Sequence, residues 1–376
     1  MTPRNQIPPQ ITPPKMTPVL LLTGFLGSGK TTLLQRLLTD PSLANAAVLI
    51  NEFGEVGLDH HLLDRIDDNI VLLKSGCICC TVRGEVADAL LNLESLRTRG
   101  DIRFDRVVIE TTGLADPYPV LQTLTAHPVL RSHFTSGGVI TTVDAVNAAT
   151  QVDHRAEAVH QIAAADRIVL TKTDLATPEQ TFRLRARLMR INPAAQVVTS
   201  QHSLPEILDA LQPWALPANF PANFPTGFPT NVPSALPHLA AGHSCTPHCG
   251  PDCAPQTAPS PAHHHHQDET LGVTSFSLVV DQAIDWTMFG TWLTLLLHRY
   301  GDRIFRVKGI LVIEGEDFPV AVHGVQHLVH APTHMETWPA GPRHSRLVFI
   351  LEGLDPALIR RSFKAFTGLT AVGTAA

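Results

Sequence analysis

The sequence predicts an α/β chain: a doubly wound, mostly parallel sheet followed by a small α+β domain. Three observations lead there. An apolar run, Val19–Leu22, feeds directly into GFLGSGKTT, Gly24–Thr32, and then into a helical pattern, Leu33–Leu38. Up to about residue 200, short apolar strands alternate with longer helical stretches, the pattern of a parallel sheet covered on both faces. Beyond residue 271 strands predominate and only two helical stretches recur, as in an α+β unit.

Taken in order, residues 1–16 are proline-rich and polar and are expected to form a disordered tail. In the first domain, 17–205, strands are expected at Ala47–Ile50, Arg106–Glu110, Gly138–Val143 and Ile168–Thr171, with helices at Val86–Thr98 and Pro178–Ile191. Residues 206–270 read as a linker. Within it a proline recurs every fourth residue from Pro213 to Pro237, which no helix tolerates because each proline removes a donor and clashes with the preceding turn. A His/Cys-rich stretch follows, with His243, Cys245, His248, Cys249, Cys253 and His263–His266. It suits loose binding of several ions or a solvated linker. The second domain, 271–370, should place strands at Val273–Val280, Ile304–Ile313, Pro319–Val329 and Arg346–Leu351. Its helices should carry Trp286, Phe289, Trp292, Leu293 and Leu296 on one face and end at Pro356–Phe366. His323 and His327 should share a strand face with His330 turned away, as ordinary surface histidines.

The spacing G-x-x-x-x-G-K-T between a strand and a helix is a phosphate cradle. Gly24, Gly27 and Gly29 let the turn aim backbone N–H groups inward, and Ser28, Thr31 and Thr32 lie in the same turn and helix start. Lys30 is expected to reach the β- and γ-phosphates, and the Thr31 hydroxyl to ligate Mg²⁺. Glu110 ends an apolar strand, where it can hold a Mg²⁺-bound water. Gly113, three residues on, can report the γ-phosphate. Lys30 and Glu110 are the candidate catalytic residues. The stretch IVLTKTDL resembles the guanine-recognition motif N-K-x-D: Asp174 can accept two N–H groups that adenine does not pair, and the Lys172 stem can lie along the base. Thr171 replaces the usual asparagine, which should weaken a supporting hydrogen bond. Val197–Ser200 is the segment placed to close over the base.

Cys77, Cys79 and Cys80 bring three thiols onto one loop. Such a set suits a soft or borderline metal, zinc being the natural candidate, with a fourth position left for water, a protein side chain or a receiving partner. The thiols fall in sequence between Thr31 and Glu110, the span that carries moving switch segments in P-loop GTPases. Glu52, Glu55 or Asp59 could supply a fourth ligand, act on Mg²⁺, or be solvated. A formal charge of −6 points away from nucleic acid, and no apolar run reaches the roughly 20 residues of a membrane span. The proline-rich, polar N-terminus lacks the apolar block of a secretory signal, so a reducing, cytoplasmic location is expected, and there the clustered cysteines read as metal chemistry rather than disulfides.

GFLGSGKTT, INEFGEVGLD, SGCICC, ETTGLADP and TKTDL, in that order, resemble the CobW family of P-loop GTPases, and RVKGIL and VHGVQHLVH resemble its smaller C-terminal domain. The resemblance implies GTP-dependent trafficking of zinc or cobalt to a client metalloprotein, with the cysteine motif at Cys77, Cys79 and Cys80. It leaves a homodimer open. Two other readings stand beside it: a metal-storage or sensing protein in which GTP only regulates affinity, and a P-loop kinase for a small molecule.

Overall fold

The computed structural model describes residues 16–43, 45–50, 72–74, 82–202, 204–208, 272–339 and 343–372. Its first sheet holds seven parallel strands: β1 (Thr17–Gly24), β2 (Ala46–Ile50), β3 (Leu72–Lys74), β4 (Arg106–Glu110), β5 (Phe134–Asp144), β6 (Arg167–Thr171) and β7 (Gln196–Thr199). They lie in the order β3-β2-β4-β1-β5-β6-β7, so β1 is central and the order reverses beside it. A ligand crevice forms at such a switch point, beyond the carboxyl ends of the strands.

Alternation along the strands builds two cores. Val19 and Leu21 of β1, with Val107 and Ile109 of β4, face the helices α1 (Val82–Arg99) and α2 (Tyr118–Ala126). Leu20, Leu22 and Val108 face the other way, onto Leu33, Leu34 and Leu37 of the helix that follows the P-loop, Lys30–Leu38. Burying each such leucine contributes about 1.5–3 kcal/mol, so the strand that ends in the P-loop is clamped from both sides. Past β5, α3 (Ala156–Ala164) packs beside α4 (Pro178–Ile191). The latter starts on a capping box in which Thr177 accepts from the Gln180 N–H and the Gln180 side chain accepts from the Thr177 N–H.

The second sheet is antiparallel: β8 (Val273–Val280), β9 (Ile304–Leu311), β10 (Val320–Val325), β11 (Leu328–Val329), β12 (Thr333–His334) and β13 (Ser345–Glu352). One face, with Phe276, Leu278, Val307, Leu347 and Phe349, packs on α5 (Trp286–Tyr300) and α6 (Pro356–Thr367). Its other face carries Arg306, Lys308, Val348 and Ile350 toward the first domain. Val348 meets Ala194, and Ile350 joins the core under β1.

Charge also crosses this junction. Asp166 lies just before β6, and its carboxylate accepts the Val139 N–H at 3.0 Å and Lys308 Nζ at 3.3 Å. Arg306 donates one amino group to Asp166 and the other to the Ala164 carbonyl. All three charged side chains are at most 5% exposed. Burial alone would raise the Asp166 carboxyl; Arg306 and Lys308 outweigh it and hold it well below the usual carboxylate range.

Several expectations change in detail. β5 begins at Phe134 rather than Gly138, because its first residues pair with Thr17–Val19 of β1. The single strand expected over Pro319–Val329 is a hairpin. Gln326 takes φ 51° and reverses the chain between β10 and β11. The tail before Met16, the proline repeat and the His/Cys stretch lie outside the described residues.

Candidate nucleotide site

Gly24 ends β1 at φ 143°, where a Cβ would sit 2.3 Å from Thr142 Oγ1 and 2.5 Å from the Thr142 carbonyl. Only glycine fits there, and only glycine takes that backbone comfortably. Gly27 and Gly29, at φ 72° and 88°, complete the turn. Ser28 does not face outward: its hydroxyl is buried and bonds Thr142 Oγ1 at 2.7 Å, fixing the loop to β5. Lys30 folds back, donating from Nζ to the carbonyls of Gly24 at 2.9 Å and Phe25 at 3.3 Å. Thr32 is exposed at the start of the helix.

Thr31 Oγ1 donates to Glu110 Oε1 at 3.0 Å. The hydroxyl at the end of the P-loop and the carboxylate at the end of β4 therefore converge on one point. Glu110 is 4% exposed. Two oxygens so placed suit Mg²⁺, a hard cation held through few protein ligands plus phosphate and water. Gly113 presses on the P-loop itself: a Cβ there would lie 2.7 Å from the Leu26 backbone nitrogen. Its loop is held from α3, where Gln161 Nε2 donates to the carbonyls of Gly113 at 3.2 Å and Ala115 at 3.0 Å.

At the base end, Thr171 Oγ1 donates to the Ser28 carbonyl at 2.8 Å. Thr171, standing where an asparagine is usual, thus ties its loop to the P-loop through its hydroxyl. Lys172 adopts φ 54°, and its Nζ meets Asp144 Oδ2 at 2.8 Å. Asp144 closes β5 and is 1% exposed, and its other oxygen accepts the Val146 N–H at 2.8 Å. Burial alone would raise this carboxyl, but the Lys172 and Asn147 hydrogen bonds bring it below the ordinary value. Asp174 stands exposed one turn further on. Arg36, on the P-loop helix, donates to the carbonyls of Ser200 and, at 2.6 Å, His202, securing the segment after β7.

The structure therefore gathers Gly24, Gly27, Ser28, Gly29, Lys30, Thr31, Glu110, Gly113, Thr171 and Lys172 at the P-loop and the loops in contact with it. Cys77, Cys79, Cys80 and the stretch Asn51–Asp59 lie outside the described residues. Sequence reasoning missed three side chains. Asp144 carried a signal, an acid ending the apolar strand Gly138–Val143. Gln161 and Arg36 sit on amphipathic helices where nothing marks them out.

A strand, glycine turn and helix at the switch point of a parallel sheet, with an acid-ended neighbouring strand and a T-K-x-D loop, define a P-loop GTPase. The chain belongs to the CobW/HypB/UreG family. Residues 18–199 match the description "CobW/HypB/UreG, nucleotide-binding domain", and residues 273–367 match "Cobalamin synthesis protein cobW C-terminal domain". It is similar to the zinc chaperone YjiA of Escherichia coli, 37% identical over 92% of this chain and 97% of that protein. The zinc-regulated GTPase metalloprotein activator 1 of Schizosaccharomyces pombe is 36% identical over 51% of this chain and 48% of its own length. The crystal structure of Zn(II)-bound YjiA GTPase from Escherichia coli superposes with a TM-score of 0.65 at 31% identity, covering 94% of this chain and 99% of that one.

Proposed function

We propose that this protein is a GTP-hydrolysing zinc chaperone that carries its ion on Cys77, Cys79 and Cys80 and passes it to a client metalloprotein according to nucleotide state. The observation that supports this most is the seating of the Glu110–Ala115 loop directly on the P-loop, in a chain that matches a zinc chaperone along 97% of that relative's length. Zinc, or cobalt in its place, is cargo.

In this reading the backbone amides of Gly27–Thr32 receive the β- and γ-phosphates, and Lys30 exchanges the carbonyls of Gly24 and Phe25 for phosphate oxygens. Thr31 and Glu110 hold Mg²⁺, which when bound neutralises charge on the phosphates. Asp174 accepts the guanine N–H groups. Lys172 is steered along the base by Asp144, and Thr171 keeps that loop in step with the P-loop. Gly113 reports the γ-phosphate through the carbonyl anchors on Gln161. No arginine or glutamine is assigned to the attacking water, so turnover without a partner is slow, below about one per second.

The test is zinc transfer to an apo zinc enzyme. GTP should speed delivery relative to GDP in the wild type. Cys79→Ser should keep GTP hydrolysis and lose delivery. A wild type that binds zinc but delivers none in either nucleotide state would support storage or sensing instead.

A further inference from the structure

The hairpin that breaks the expected Pro319–Val329 strand brings two histidines together. Across it the His330 N–H donates to the His323 carbonyl at 2.9 Å, and the two rings stand edge to face with centroids 4.5 Å apart. His323 pairs in register with Lys308 on β9. Both histidines and Lys308 line a cavity of about 230 Å³ between the two domains, together with Thr135 and Ser136 at the start of β5 and Thr333.

We propose that this cavity is a binding site for a small tetrahedral oxyanion of the phosphate and sulfate class, distinct from the P-loop. His323 Nδ1 is shielded from solvent and has no hydrogen-bond partner among the described residues. A buried polar group left unsatisfied is costly, so an occupant with complementary oxygens gains by pairing with it. Hydroxyls of Thr135, Ser136 and Thr333 add donors, and the volume holds several waters at about 30 Å³ each, enough for a partly hydrated ion.

The charges decide against a metal cation. Behind the cavity stand Arg306 and Lys308 on β9, with Asp166 the carboxylate they share. Burial, then the neighbouring histidine and Arg306, push His323 well below its ordinary value. Burial and Arg306 push His330 down to about 4. Burial disfavours any added charge; beyond it, Arg306 and Lys308 against the single Asp166 carboxylate leave a net positive charge behind the rings, which disfavours a divalent cation and favours an anion. An anion in turn stabilises the protonated ring, so binding takes up a proton. Affinity should therefore rise as pH falls from 8 toward 6, by up to about tenfold per pH unit.

The experiment is histidine-ring NMR on the full-length protein, with GDP and Mg²⁺ occupying the P-loop so that it cannot answer for the cavity. Sulfate, whose charge is constant over this range, is titrated against chloride at matched ionic strength, at about pH 6 and pH 8. His323 and His330 signals, assigned by their loss in His323→Gln and His330→Asn, should shift saturably and at lower sulfate at the lower pH. Inorganic phosphate should compete. Ser136→Ala should weaken binding several-fold and leave GTP hydrolysis unchanged. Absence of a saturable shift at either pH overturns the proposal, and so does zinc moving both rings at concentrations where sulfate does not.

Discussion

Replacing Asp166 with asparagine should be among the most damaging single changes outside the nucleotide site. The substitution is nearly isosteric, so it leaves no cavity, and the new side-chain oxygen can still accept the Val139 N–H. What it removes is the negative charge facing Arg306 and Lys308, side chains that are each 2% exposed. Removing one partner of a buried ion pair costs about 3–5 kcal/mol, because the charges left behind cannot regain water. At about 2–4 °C per kcal/mol for a chain of this size, the midpoint of thermal unfolding should fall by roughly 10 °C. Urea denaturation followed by circular dichroism reads the free energy directly. The control is the triple variant Asp166→Asn, Arg306→Met, Lys308→Met, which removes the stranded cations and should be less destabilised than Asp166→Asn alone. A loss below about 1 kcal/mol for the single variant, or a triple variant equal to the sum of its parts, would refute the reasoning.

Other expectations follow from the same geometry. Thr171→Val deletes the bond to the Ser28 carbonyl and should weaken GTP binding by about five- to tenfold, one lost hydrogen bond of about 1–1.5 kcal/mol, with Thr171→Ser restoring most of it. Asp174→Ala should abolish the preference for GTP over ATP in competition binding; an unchanged preference would remove the guanine assignment. Glu110→Gln should raise the Mg²⁺ needed for half-maximal hydrolysis at least tenfold while nucleotide binding without metal survives. The histidine pair sets a pH dependence. Both rings titrate lower in the folded protein, so the unfolded chain binds more protons between about pH 4 and the ordinary histidine range. Stability should rise with pH through that window and level off above it, and His330→Asn should flatten the rise.

Much of this was readable from residues alone where the physics is local. The P-loop is legible because glycine positions, a lysine and a hydroxyl at fixed spacing leave little else for the backbone to do, and the alternating apolar strands announced the parallel sheet. The bond from Thr171 to the Ser28 carbonyl could not be read from residues alone, because it depends on how the end of β6 meets the P-loop. Asp144, Gln161 and Arg36 act across the sheet on residues 28, 48 and 164 positions away, separations that no window along the chain detects. The histidines of VHGVQHLVH were assigned by strand alternation. That rule failed when Gln326 turned the chain and made neighbours of His323 and His330.

Zinc on the thiol loop and nucleotide at the P-loop should each change the protein's affinity for the other. Calorimetric titration of zinc into the intact protein, loaded with GDP or with a non-hydrolysable GTP analogue, tests it most directly. Zinc affinities should differ by about fivefold or more between the two states, with a matching difference in analogue affinity with and without zinc, as linkage requires. Identical zinc affinities in both nucleotide states would contradict that coupling.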